Sequence, residues 1–331
     1  MKKKERLKLS VAICTFNGAE YISEELVSIL NQKMKIDEIV VCDDGSTDGT
    51  WEIVKGMARL YEKKTKWKIC KNDVCLGVIK NFEKAIGLCS GELIFLADQD
   101  DVWFVDKTEI IVEYMKKHQF IDVVFSDAVL IDEGGGRLTE YTLFDAIGMS
   151  YVKRMWKAGM AIEIFNGTSN KVTGCTVAMR NTFKEVIFPL RTDLLHDYQI
   201  AIRSASRKSI NYIDQPLMKY RLHCNNVVGL RNSWVFSGGK FKERDFLTIL
   251  EPVPARDVLF KYVEKSREGE LSQRLDFLNK RCNSIKTLKG RIKLLFDVFT
   301  YVFLYREFSF YILIHDLLYG KLKYGRFLLP R

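Results

Sequence analysis

Ala97-Asp98-Gln99-Asp100-Asp101-Val102-Trp103 closes the apolar run Leu93 to Ala97 and sets three carboxylates within four residues. So many like charges behind a strand-like run repel one another unless a cation or strong donors offset them. A divalent ion is the economical answer. Oxygen ligands suit Mg2+ or Mn2+, and these ions are usually held by one or two carboxylates together with substrate phosphates. The implied ligand is a diphosphate. Open α/β sheets bind their ligands beyond the carboxyl ends of the strands, which is where these acids fall.

Upstream the pattern alternates. Leu9 to Thr15, Glu38 to Cys42, Trp67 to Lys71 and Glu92 to Ala97 are short apolar runs. Between them Ala19 to Asn31, Thr50 to Glu62 and Ile79 to Leu88 carry helical spacing, with Asp48 as an N-cap of the second. Strands alternating with helices predict a mostly parallel sheet covered on both faces. A second acidic group, Asp43-Asp44-Gly45-Ser46, follows Ile39 to Cys42 and by itself reads as a turn with a helix cap. Downstream, Val123 to Ile131, Val172 to Met179 and Ser209 to Ile213 are strand-like, and Gly134 to Gly136 marks a turn. His196-Asp197-Tyr198-Gln199 opens a helical stretch in which Asp197, taken alone, is an N-cap.

A chain of 331 residues fills one α/β core and leaves a smaller unit over. Helical, aromatic and basic character after about Leu230 places the boundary there, within about ten residues. From Asn279 onward 11 Lys and Arg stand against 3 acids, so most of the net charge of +10 belongs to this tail. Ile292 to Ile314 is rich in Phe, Tyr, Leu and Ile but is broken by Asp297, Arg306 and Glu307, which argues against a spanning helix. Two readings of the tail stay open: an interfacial segment on anionic lipid, or a helical cap on the main domain.

The eight cysteines show no C-x-x-C spacing and are expected as buried free thiols in a reducing cytoplasm. Val11 to Phe16 is too short for a signal-peptide core and is expected to be the first strand. Neither G-x-x-x-x-G-K-[ST] nor G-x-G-x-x-G occurs, which removes the P-loop and dinucleotide phosphate cradles. A nucleic-acid binder would account for the basic tail but not for the acidic clusters.

Val11-Ala12-Ile13-Cys14-Thr15-Phe16-Asn17, Asp43-Asp44-Gly45-Ser46-Thr47-Asp48 and Ala97 to Trp103 together resemble a family 2 glycosyltransferase over roughly the first 230 residues. Around Asp98 to Trp103, and again at Tyr220-Arg221-Leu222-His223 and Asn225-Asn226-Val227-Val228-Gly229, the chain is similar to bacterial rhamnosyltransferase-like members. The resemblance implies a GT-A type α/β/α sandwich with a mostly parallel central sheet over 1–230, followed by a C-terminal helical extension over 231–331. It implies that Thr15, Phe16 and Asn17 line the nucleotide, that Asp44 hydrogen-bonds the base and that Asp98 meets the ribose. Asp100 and Asp101 would supply the metal-binding D-x-D function for Mn2+ or Mg2+, and His223 would approach the metal or the diphosphate.

Asp197 takes the place of the base that deprotonates the acceptor hydroxyl, while Gln199 departs from the aromatic residue usual there. Asn81 would face either the donor or solvent, and Arg221 would either assist with phosphate charge or be solvated. The implied partners are a nucleotide-diphosphate sugar donor and an oligosaccharide or polyprenyl-diphosphate-linked glycan acceptor. The implied location is the cytoplasm, peripheral on the inner face of the cell membrane. No Q-x-x-R-W motif is present, so one sugar per encounter is expected. The competing reading is a non-catalytic nucleotide-sugar or carbohydrate binder derived from a transferase.

Overall fold

The computed structural model describes residues 6–149 and 170–223, with the isolated positions 153, 156, 157, 159, 161 and 292. The chain divides into two compact units, Met1–Phe144 with Val172–Asn232 and Asp145–Lys171 with Ser233–Arg331. In the second, Lys171 Nζ donates to Ile147 O at 2.7 Å. The basic tail, apart from Ile292, lies outside the described residues. Among those described, no helix is long and apolar enough to cross a membrane.

The first unit carries one nine-stranded sheet. Its strands are β1 (Leu9–Thr15), β2 (Glu38–Asp43), β3 (Lys66–Lys71), β4 (Leu93–Ala97), β5 (Val102–Trp103), β6 (Val123–Ile131), β7 (Arg137–Thr142), β8 (Val177–Arg180) and β9 (Ile210–Arg221). They lie in the order β3-β2-β1-β4-β8-β6-β9-β5, with β7 beside β6. Five helices matter below: α1 (Ile22–Leu30), α2 (Thr50–Tyr61), α3 (Gly77–Leu88), α4 (Lys107–Lys117) and α5 (His196–Ser206). The residues of β2 and β4 are buried throughout, because helices cover both faces of this half. Each buried Ile, Val or Leu there contributes about 1.5–3 kcal/mol relative to exposure.

Parallel pairing is confined to β3-β2-β1-β4 and to β6-β9. β8 runs antiparallel to both β4 and β6, β5 to β9, and β7 to β6. The sheet is therefore mixed where the sequence suggested mostly parallel. An apolar run shows that a strand is buried but not which way its neighbour runs. Two strands also change bounds. The run from Val172 begins with a 3-10 turn, Gly174–Thr176, before β8, and β9 continues eight residues past Ile213. Pro216 lies in β9 where its register with β6 shifts, the kind of irregularity a strand proline requires.

Candidate active site

The carboxyl ends of β1, β2 and β4 are laced together by side chains. Thr15 Oγ1 donates to Asp43 Oδ1 at 2.8 Å, and Ser46 N donates to Asp43 Oδ2 at 3.0 Å. Asn17 adopts φ 48°, which Asn tolerates better than most residues; its N donates to Ser46 Oγ, and its Oδ1 accepts from Thr47 N at 2.9 Å. Asp48 is not the N-cap, which is Gly49 at φ 98°. The Asp48 carboxylate still accepts from Thr50 N, and it also receives Ala19 N across the loops.

Asp44 forms the floor of this region. Its Oδ1 accepts from Asn72 Nδ2 at 2.7 Å and Leu76 N at 2.8 Å, and its Oδ2 from Gly77 N at 2.9 Å and the Cys75 thiol at 3.1 Å. Burial alone would raise its pKa, but the bond from Leu76 N and its companions hold it below the ordinary carboxylate value. Asn81 does not face solvent: it is buried, with Nδ2 on Cys42 O and Oδ1 receiving Asn72 Nδ2. It supports Asn72, and through it Asp44.

The acids after β4 point two ways. Asp100 Oδ2 lies 2.8 Å from His223 Nε2, a pair made between residues 123 apart in sequence. Asp101 is fully buried; its Oδ1 accepts from Arg221 N at 3.0 Å, and the Cys175 thiol lies close to the carboxylate. One carboxylate oxygen of Asp98, one of Asp101 and the Cys175 sulfur lie within 4.8 Å of one another. Burial, with the charges of Asp100, Asp101 and Asp197, pushes the Asp98 pKa well up. Burial and Asp100 push Asp101 the same way.

Arg221 is not solvated. It is buried, with Nε on Asp100 O at 2.7 Å, Nη1 on Glu133 O at 2.8 Å and Nη2 on the Glu24 carboxylate at 2.6 Å. Its main chain and side chain thus fix the acidic loop from behind. Tyr21 lies against it, with the guanidinium 4.9 Å from the ring, and also against His223 at 5.0 Å between centroids.

Asp197 sits in the first turn of α5, where the helix dipole favours a carboxylate, and its Oδ1 accepts from Tyr198 N at 2.6 Å. Its neighbour His196 stacks on Phe82 at 4.0 Å, and a Cβ on Gly174 would come within 2.8 Å of its Nε2. Burial lowers the His196 pKa to about 3, so this imidazole stays neutral and cannot act as the proton acceptor that then carries charge. Gln199 is buried and spends its amide on Arg191 and Leu194 main chain, so it presents no surface for stacking.

The model of the Glycosyl transferase family 2 matches residues 10–187, from the start of β1 past β8. The chain belongs to glycosyl transferase family 2. It is 28% identical over 236 residues to an uncharacterized glycosyltransferase of Haemophilus influenzae, covering 68% of each chain. It is 31% identical over 108 residues to the Escherichia coli UDP-Glc:alpha-D-GlcNAc-diphosphoundecaprenol beta-1,3-glucosyltransferase WfaP, covering 33% of this chain and 41% of that one. S. aureus TarS 1-349, solved in complex with UDP-GlcNAc, superposes with a TM-score of 0.51 at 16% identity over 94% of this chain and 89% of its own. The fold is thus of the GT-A type.

In this family 2 glycosyltransferase the structure brings Thr15, Asn17, Asp44, Asp98, Asp100 and His223 to one end of the sheet. Phe16 is also there, half exposed beside Gln99. Sequence reasoning assigned no role to Gln99, Asn72 or Cys175. The last two are ordinary residues of a strand end and a short turn, joined to the acids only by folding. Of the thiols expected to be buried, Cys42, Cys89 and Cys175 are, Cys14 and Cys70 are partly exposed, Cys75 is exposed, and Cys224 and Cys282 lie outside the described residues.

Proposed function

We propose that this glycosyltransferase moves a single sugar from a nucleotide-diphosphate donor to a hydroxyl of a glycan acceptor, in one displacement with inversion. The carrying observation is the Asp100–His223 pair, set at the strand ends beside Asp98 and the Asp44 floor. A carboxylate and an imidazole fit a divalent cation such as Mn2+ or Mg2+, with the imidazole favouring Mn2+. The other acidic group, Asp98 with Asp101 and Cys175, includes a thiol that suits neither ion, although its two carboxylates offer oxygens to a ligand. Bound by Asp100 and His223, the ion would supply charge stabilisation to the leaving nucleoside diphosphate.

Asp197 takes the proton of the attacking hydroxyl as the bond to the sugar forms, and the neutral His196 beside it leaves that role to the carboxylate. Thr15 to Asn17 line the nucleotide, Asp98 meets the ribose and Asp44 meets the base. With four donors already on Asp44, a base N–H would replace the weakest of them, the Cys75 thiol. Similarity to WfaP, whose name specifies a diphosphoundecaprenol acceptor, supports a lipid-linked glycan as acceptor. The basic, aromatic segment from Asn279 onward supports peripheral contact of residues 231–331 with anionic lipid on the cytoplasmic face. Resemblance to rhamnosyltransferase-like members puts dTDP-rhamnose first among donors.

The test is donor hydrolysis and nucleotide binding across a panel of nucleotide sugars, with and without Mn2+, for the parent and Asp100→Ala. Metal-dependent turnover of one donor, lost in the variant, is the expected result. A parent that binds no donor with metal present overturns the proposal and leaves a degenerate binder.

A further inference from the structure

Gln99 stands between Asp98 and Asp100, yet its side chain serves the neighbouring loop. Its Oε1 accepts from Phe16 N at 2.9 Å and its Nε2 donates to Phe16 O at 3.0 Å. A primary amide carries a donor and an acceptor side by side in one plane, so it pairs with the N–H and C=O of one residue as an adjacent strand would. Glycine makes the space. A Cβ on Gly18 would lie 2.2 Å from Gln99 Cδ and Oε1 and 2.7 Å from Nε2. Gly18 is itself held in place, its N donating to Thr50 Oγ1 at 2.8 Å and its O receiving Tyr21 N and Ile22 N at the start of α1.

We propose that Gln99 is a positioning residue that locks the nucleotide loop, Thr15 to Asn17, to the acidic loop, Asp98 to Asp101, so that the two halves of the donor are held in register. The proposal rests on the roles given above to those loops. The first loop is tied to β2–α2 through Ser46 and Thr47, and the second to β9 through Arg221 and His223. Among the described residues, Gln99 makes the direct hydrogen bonds between them. Metal bound at Asp100 and nucleotide bound beside Phe16 then reinforce each other through the amide, and Gly18 is required because any side chain there evicts it.

The experiment is a double-mutant cycle of parent, Gln99→Ala, Gly18→Ala and the double variant. UDP, dTDP and GDP are titrated calorimetrically with and without Mn2+, and each protein is melted. In the parent, Mn2+ tightens the preferred nucleotide; in Gln99→Ala that gain shrinks about tenfold, the scale of two lost hydrogen bonds. Melting should stay close to the parent's. Gly18→Ala should reproduce the loss, and in the Gln99→Ala background it should add almost nothing, which a general loosening of the loop would not do. A full Mn2+ gain in Gln99→Ala, or an equal cost of Gly18→Ala in both backgrounds, overturns the proposal while leaving the transferase reading intact. A parent that binds no nucleoside diphosphate under any condition overturns both.

Discussion

Two acidic sites on the same sheet, Glu38 at its amino end and the Asp98–Asp101 cluster at its carboxyl end, are treated in opposite ways. At the amino end Glu38 is met by Lys68 Nζ at 2.8 Å, Ser10 Oγ at 2.6 Å, Ser90 N at 2.6 Å and Ser90 Oγ at 2.8 Å. Burial opposes ionisation there, but these donors win and bring its pKa down to about 2. At the carboxyl end Asp98 and Asp101 are driven the other way by burial and by one another's neighbours. A carboxylate that only stabilises is given its donors by the fold. The acidic cluster, which Lys107 offsets only in part, lies at a ligand-binding edge where a bound cation would complete it.

The contrast can be broken most sharply at Asp197. Asp197→Asn should lower turnover by about a thousandfold, the scale of a lost general base, without lowering the melting temperature. A comparable loss of stability would instead make Asp197 a structural cap. Next in size is Glu38→Gln, which should cost about 2 kcal/mol at neutral pH because charged hydrogen bonds are lost. Glu38 has a depressed folded pKa, so its stabilisation is present above the ordinary glutamate value and disappears as pH falls toward 2. Parent and variant denaturation curves should converge over that window.

Smallest, and opposite in sign, is Asp101→Asn in metal-free protein, expected to gain about 1 kcal/mol at pH 8. A raised folded pKa means that stability is full below the ordinary aspartate value and is lost as pH rises through the folded one. The gain should therefore vanish in acid. Asp101→Asn melting below the parent at pH 8 would mean that the cluster is already compensated from within.

What the sequence made legible follows the same division. β1 and β6 have the bounds their apolar runs gave them, and α2 differs by one residue at its end. Asn17-Gly18 and Gly134 to Gly136 mark the turns that follow β1 and β6, and apolar residues dominate both strands. Asp98 to Asp101 announced themselves by charge density alone. Pairing direction in the second half was not legible from apolar runs, and the division of labour between Asp100 and Asp101 depends on His223 and Arg221, 123 and 120 residues away. Arg221 shows why: nothing near it in sequence indicates that its guanidinium will be spent on Glu24, Asp100 and Glu133.

β9 makes that distance a matter of timing. The loops of the nucleotide side come from strands that succeed one another early in synthesis, whereas the residues that hold the acidic loop, Arg221 and His223, follow it 120 and 123 residues later. Loop closure over some 120 residues is slow compared with the local β-α-β steps before it. A nascent or truncated chain that stops short of Arg221 keeps its nucleotide loops but has an acidic segment with nothing to receive it. Among the described residues β9 is the last strand in sequence, and it is the one that ties the acidic loop in place.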